Sequence, residues 1–289
     1  MRVRAFAKIN LLLRVLGPRS DGYHDIETIL HGIRLGDDLS FGATPGSGVD
    51  VEMRPTDDRR PPAPAYNLVH RAAVMSRPPA GASGVQIVIE KRIPLASGLG
   101  GGSSNAAAAL VVLNDLWKLG RDEEQLRALG TQLGSDVPYF VGGGTALAEG
   151  RGERIASLAA PRVMWFVLGL SNRGLSTAEV YRRWRTNDGM PDASGMVAAL
   201  AAGDVAAVGT RIMNALEVPA FELRPELAAG KQRLIEAGVL GAGLSGSGPT
   251  LFGLAADEAH ARAVARRVEG DFDAVEVVRS QPDPRKRLD

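Results

Sequence analysis

Three consecutive glycines, Gly100-Gly101-Gly102, followed at once by Ser103, Ser104 and Asn105, constrain this 289-residue chain more than any other stretch. Glycine opens positive φ angles to the backbone, so several N–H groups can converge on one point. The small and apolar run from Ala106 to Trp117 then reads as a mostly buried helix. The N-terminus of such a helix carries unbonded N–H donors and the positive end of the helix dipole. A tight turn before a packed helix uses the same glycines. Three of them, capped by Ser-Ser-Asn and preceded by a strand that ends near Pro94, favour a phosphate cradle.

The common phosphate motifs do not fit. A Walker loop ends in Gly-Lys-Ser or Gly-Lys-Thr, and the chain has no such triplet. The dinucleotide fingerprint requires a third glycine where this loop has Ser103. Gly241, Gly243 and Gly246 do match that fingerprint, but they precede Pro249 and a strand-like run from Thr250 to Leu254 instead of a helix.

Charge and composition narrow the class further. Lys and Arg total 34 against 33 Asp and Glu, a balance that gives no reason to expect a nucleic-acid or membrane partner. No apolar run is long enough to span a bilayer. The opening residues, with Arg2, Arg4 and Lys8 between apolar neighbours, read as a strand and not as a leader. With no cysteine, disulfides and thiolate catalysis are excluded. A cytoplasmic enzyme is the simplest expectation.

Along the chain, Val3 to Val15 reads as one or two strands, and Asp21-Gly22-Tyr23-His24 as a turn. Residues 44–64, rich in Pro, Gly and charge, read as a surface excursion. Asn67 to Met75 has helical spacing, Gly84 to Ile93 alternates as a strand, and Asp122 caps an amphipathic helix ending at Leu133. After Pro161 come a strand over 162–168 and helices over 178–185, 205–216 and 225–237. A strand–helix–strand unit over 250–278 follows, and the tail with Arg285, Lys286 and Arg287 reads as a solvated end. Periodicity alone gives two lobes of mixed helix and strand.

The loop resembles that of the GHMP kinases, whose pattern is Pro-x-x-x-Gly-Leu-Gly followed by small residues and Ser. Here it runs from Pro94 through Gly98-Leu99-Gly100 to Ser103-Ser104. Further resemblances follow in the family's order. They are Ala7-Lys8-Ile9-Asn10-Leu11, Asp21 to His24, Leu133 to Pro138, Ala148 to Glu153 and Leu244 to Gly248. The resemblance implies an α+β chain in two domains. Residues 1–157 would form an ATP-binding and catalytic domain like the second domain of ribosomal protein S5. Residues 158–289 would form a ferredoxin-like, substrate-binding domain.

It also implies roles. Pro94, Gly98, Leu99, Gly100, Gly101, Gly102, Ser103, Ser104 and Asn105 would hold the phosphates of ATP, with Ser103 and Ser104 helping to place Mg²⁺. Asn67, Leu68 and Lys91 would face the adenosine. Asp136 would accept the proton of the attacking hydroxyl, and Lys8 would neutralise charge at the transferred phosphoryl. Asn10, Tyr23, His24, Thr177 and Tyr181 would bind a small-molecule acceptor carrying a cytidine diphosphate group, with the two tyrosine rings stacking on the base. By themselves, Asp136 and Lys8 also read as a surface carboxylate and an edge-strand charge, Tyr181 as a helix-packing residue, and the 243–248 loop as a tight connection. Ala215 departs from the acidic residue expected after Asn214. The protein ligands of the metal are not legible, and a monomer and a homodimer fit equally.

Other GHMP acceptors, of the homoserine or mevalonate type, offer no base for Tyr23, His24 and Tyr181. A nucleotide-binding module without catalysis has no use for both Lys8 and Asp136. A hydrolase lacks both a Gly-x-Ser-x-Gly elbow and a His-Glu-x-x-His motif.

Overall fold

The first half of the chain is organised by two very long strands. In the computed structural model, which describes residues 1–54, 66–76, 82–160, 162–186 and 189–281, β1 (Arg2–Pro18) and β2 (His24–Thr44) pair antiparallel from Arg2 opposite Ser40 to Pro18 opposite His24. Register shifts between Phe6 and Ala7 and between Asn10 and Leu12 bracket Lys8 and Asn10. Such irregularities locally increase twist and re-aim side chains. β3 (Val49–Arg54) follows, then α1 (Leu68–Ser76), β4 (Gly84–Glu90), α2 (Gly101–Leu116), α3 (Glu123–Leu133), α4 (Val137–Gly142), β5 (Thr145–Gly150) and β6 (Arg154–Ser157). β4 pairs with the second half of β2, and β5 with the first half. Ile87 and Ile89 on β4, Leu39 on β2 and Ala106, Leu110 and Leu113 on α2 share one core.

The second half contains β7 (Trp165–Leu170), α5 (Thr177–Arg183), α6 (Ser194–Ala202), α7 (Val205–Gly209) and β8 (Met213–Asn214). It continues with α8 (Glu217–Leu223), α9 (Pro225–Glu236), β9 (Gly241–Leu244), β10 (Leu251–Ala255), α10 (Glu258–Arg267) and β11 (Ala274–Arg279). Its sheet has the order β11-β7-β10-β9, antiparallel throughout. That is the ferredoxin-like arrangement implied by the resemblance.

Among the described residues, strand pairing joins the lobes in two places. β8 leaves the second lobe to pair parallel with β1, Leu12 opposite Met213 and Leu13 opposite Asn214. At the other seam, Ile33 bridges Ser280 and the Gln281 N–H donates to the Gly32 carbonyl. His31 is buried at this seam. Its Nδ1 lies 2.8 Å from the Thr145 hydroxyl and its Nε2 2.8 Å from the Ser280 hydroxyl. Burial pushes the His31 pKa down to about 4.

Several expectations are corrected. α2 starts at Gly101 and not at Ala106, because tertiary packing overrides the low helix propensity of the glycines. The surface excursion contains β3, which pairs parallel with β4; residues 55–64 and the basic tail lie outside the described residues. The helix expected over 205–216 stops at Gly209 and gives way to β8. α6 and α8 were not expected. The Asp122 cap is as read, with its side chain on the Gln125 N–H and the Gln125 side chain returning to the Asp122 N–H.

Candidate active site

The glycine loop is shaped by contact as much as by freedom. Gly98 has φ +80° and Gly100 φ +74°. A Cβ on Gly98 would lie 2.2 Å from the Ser245 carbonyl oxygen, and one on Gly100 would lie 2.8 Å from the Phe140 ring and 3.3 Å from Lys8 Cε. Gly100 caps α2, and the Ser104 N–H donates to its carbonyl at 2.9 Å. The N–H groups of Gly101, Gly102 and Ser103 precede that bond, and among the described residues none of them has a protein acceptor. This is a helix terminus suited to an anion.

The loop residues divide. Gly98, Gly100 and Ser103 line a cavity of about 850 Å³. Leu99 is buried in the core, and the Pro94 carbonyl accepts from the Ser97 hydroxyl. Ser104 is buried, and its hydroxyl donates to the Phe6 carbonyl at 2.7 Å, so of the two serines only Ser103 faces the cavity. Asn105 is buried, and its side-chain oxygen and nitrogen have no partner among the described residues.

Lys8 stands at the centre. Alternation on β1 puts it on the same face as Asn10, and its Nζ donates to Asn10 Oδ1 at 2.7 Å and to the Gly98 carbonyl at 2.8 Å. Asp136 Oδ2 lies 3.8 Å away. Asn10 in turn donates to Thr28 Oγ1, which donates to the Leu12 carbonyl, so the amide is oriented by a chain of bonds anchored in the sheet. Burial lowers the Lys8 pKa, and the charge of Asp136 opposes that shift. Asp136 precedes α4 and leaves the α4 N–H groups uncapped by its side chain, so the carboxylate faces the cavity.

A second glycine loop, 245–248, packs against the first. The Ser245 hydroxyl donates to the Gly98 carbonyl at 3.0 Å, and the Thr250 N–H to the Ser97 carbonyl at 3.2 Å. A Cβ on Gly246 would lie 3.2 Å from Lys8 Nζ. Asn214 holds this loop from behind, donating to the Leu244 and Gly246 carbonyls at 2.7 Å each. Glu217 accepts from the Leu244 N–H and from Lys231. The Asn and Glu of the 214–217 segment are therefore structural supports of the loop. Ala215 in the intervening position is buried and uses its N–H on the Leu13 carbonyl.

The far end of the cavity is aromatic. Tyr23 and His24 come from the β1–β2 turn, Thr177 and Tyr181 from α5. The His24 ring lies 5.2 Å from Tyr181 and 5.9 Å from Trp184, centroid to centroid. The Arg151 guanidinium sits 4.8 Å over the Tyr23 ring. Burial, with a contribution from the Asp136 charge, raises the Tyr181 pKa and keeps the phenol neutral. Trp184, Arg151 and Arg182 were not singled out in the sequence. Arg151 was legible only as part of the Ala148–Glu153 motif, and Arg182 as the neighbour of Tyr181.

The three residues expected on the adenosine side are not brought to this cavity. Asn67 is buried and caps α1 through Oδ1 on the Val69 N–H, and Leu68 opens that helix. Lys91 is buried in an ion pair with Asp37, behind the first turn of α2.

This geometry has close counterparts. The model for the GHMP kinases N-terminal domain matches residues 67–144, and that for the GHMP kinases C-terminal domain matches residues 196–274. The 4-diphosphocytidyl-2-C-methyl-D-erythritol kinase of Pelotomaculum thermopropionicum is 46% identical over 96% of this chain and 96% of its own length. The enzyme of the same name from Moorella thermoacetica is 42% identical over 96% and 97%. A crystal structure of a 4-(cytidine 5'-diphospho)-2C-methyl-D-erythritol kinase superposes with a TM-score of 0.81 at 36% identity, covering 97% of this chain and 99% of that one. A homoserine kinase from Cytophaga hutchinsonii, at 20% identity and a TM-score of 0.74 over 98% and 96%, shares the fold.

Proposed function

Because the chain belongs to the GHMP kinases, and within them to the 4-diphosphocytidyl-2-C-methyl-D-erythritol kinase family, we propose that it phosphorylates the 2-hydroxyl of 4-diphosphocytidyl-2-C-methyl-D-erythritol with ATP. The acceptor oxygen forms a bond to the γ-phosphorus, the bond to the β,γ-bridging oxygen breaks, and the products are the 2-phosphate and ADP. The reaction belongs to the non-mevalonate route to isoprenoid precursors. The observation that carries this reading is one cavity with a lysine–aspartate pair beside a free helix N-terminus and an aromatic pocket at the other end.

In this reading the first turn of α2 binds the transferring phosphates through the N–H groups of Gly101, Gly102 and Ser103. Asp136 accepts the proton of the 2-hydroxyl. Lys8, held by Asn10 and the Gly98 carbonyl, offsets charge on the phosphoryl in flight. Asn10 also meets the acceptor. Tyr23 and Tyr181 sandwich the cytosine, His24 borders it, and Thr177 reaches the nucleotide from α5. Leu99, Ser104 and Pro94 shape the loop from inside the protein. Asn67, Leu68 and Lys91 act from behind the adenosine side.

Magnesium fits this donor set. Mg²⁺ keeps several waters and binds largely through nucleotide phosphates, so one or two protein oxygens are enough. Ser103 is an oxygen donor on the cavity wall that would help to hold it, while Asp136 is kept for the acceptor proton. When bound it neutralises phosphate charge. No helix among the described residues is long and apolar enough to cross a membrane, which suits a cytoplasmic enzyme. The division of labour runs between residues 1–157 and 158–289.

The test is phosphoryl transfer from ATP-Mg to 4-diphosphocytidyl-2-C-methyl-D-erythritol, with homoserine and mevalonate as parallel acceptors. Turnover with the cytidylylated acceptor alone is the expected result. Turnover with homoserine or mevalonate instead would keep the kinase and discard the aromatic pocket as a base site. ATP binding without any turnover would overturn the catalytic role of Lys8 and Asp136.

A further inference from the structure

A side-chain contact joins the two ends of the cavity. Thr177 opens α5, and its hydroxyl lies 2.8 Å from the Ser247 hydroxyl. α5 itself is anchored through the fully buried Val180 and through Tyr181, which packs on the same core and against His24. Ser247 belongs to the loop stitched onto the phosphate loop. Ser245 of that loop donates to the Gly98 carbonyl, the same oxygen that accepts from Lys8. The chain Tyr181–α5–Thr177–Ser247–loop–Gly98–Lys8 is therefore continuous.

We propose that the Thr177–Ser247 hydroxyl pair is a positioning contact that registers the nucleoside wall against the phosphoryl-transfer machinery. The inference rests on the cytidylylated acceptor proposed above. That acceptor is gripped at its base by α5 and reacts many bonds away beside Asp136, so small shifts of α5 relative to the loop misplace the reacting hydroxyl. Alignment of this kind affects the rate more than the affinity. Ser247 acts through Thr177 and the loop and is a positioning residue, not a catalytic one.

The test is a double-mutant cycle in the full chain, with 4-diphosphocytidyl-2-C-methyl-D-erythritol as acceptor. A hydrogen bond of ordinary net strength corresponds to a rate change of about fivefold to tenfold. Ser247→Ala and Thr177→Val are each expected to lower kcat by about that factor, with the double variant no slower than the slower single one. Ser247→Ala is expected to leave the acceptor KM within about twofold, and Ser247→Thr to restore kcat. Thr177 is exposed, so Thr177→Val and its hydroxyl-retaining partner Thr177→Ser give the same readout if Ser247→Ala does not fold. Multiplying effects in the double variant would overturn the proposal, as would an unchanged kcat in Thr177→Val or a loss confined to KM. A wild-type protein that does not turn over this acceptor defeats the substrate assignment; a turning-over wild type with independent variants defeats the coupling alone.

Discussion

Two lysine–aspartate pairs, each with a buried lysine, flank the N-terminus of α2, and only one of the two turns its carboxylate toward the cavity. In the Lys91–Asp37 pair the carboxylate is 0% exposed. Its oxygens are filled by Lys91, the Arg92 N–H at 2.7 Å and the Ile93 N–H at 2.8 Å. In the Lys8–Asp136 pair the lysine is equally buried, but the carboxylate is 37% exposed and 3.8 Å away, too far for a hydrogen bond. Lys8 donates instead to Asn10 and Gly98. The difference lies in the acceptor. A carboxylate whose lone pairs are all engaged stabilises a fold, and one held near a cation with oxygens free on a cavity can take a proton.

Substitutions at the two aspartates break that comparison most sharply. Asp136→Asn is expected to lower kcat by about a thousandfold, within the range for a lost general base, while affinity for an ATP analogue changes by less than about threefold. Steady-state kinetics with a parallel binding titration checks this. Asp37→Asn leaves a buried ammonium short of its counter-charge and is expected to cost about 3 kcal/mol of stability. Denaturant melts read that loss, and kcat per folded molecule stays near wild type. A reversed pattern, with Asp37 controlling turnover and Asp136 controlling stability, would invert the two assignments.

His31 sharpens the contrast at a third buried site. The unfolded chain binds a proton on this ring near pH 6.5, and the folded protein only near pH 4. Between those values the unfolded state binds more protons, so stability is complete above about pH 6.5 and falls as the pH drops. By pH 5 the loss is expected to reach about 2 kcal/mol. His31→Gln is expected to flatten this pH dependence in thermal melts from pH 4.5 to 7.5, and an unflattened profile would assign it to other groups. The smallest effect is expected at the aromatic end. Tyr181→Ala removes one stacking face and is expected to raise the acceptor KM about tenfold while leaving the KM for ATP unchanged. Equal losses toward both substrates would remove Tyr181 from the base site.

The sequence is most legible where function or folding is carried by neighbours in the chain. The Asp122–Gln125 cap, the glycine turn at the head of a buried helix and the strand–helix–strand unit at the C-terminal end are all local patterns, and each is found where expected. What was not legible depends on distant partners. Lys91 reads as an adenosine-side residue until Asp37, 54 positions away, is seen to enclose it. β8 has two residues, too few for any periodicity, and exists because β1 offers a free edge. Gly209, which ends α7, packs against Leu240 and Gly241, 31 and 32 positions further along the chain. Trp184 joins the aromatic cluster only because α5 ends against the β1–β2 turn.

The most direct measurement is a crystal structure with a non-transferable ATP analogue and 4-diphosphocytidyl-2-C-methyl-D-erythritol bound together. The expected result has the γ-phosphate on the first N–H groups of α2 and the acceptor 2-hydroxyl about 3 Å from Asp136, with the Lys91–Asp37 pair intact. A complex in which Asp136 turns away from the acceptor, or Lys91 leaves Asp37 to reach the γ-phosphate, would contradict the separation of the two pairs.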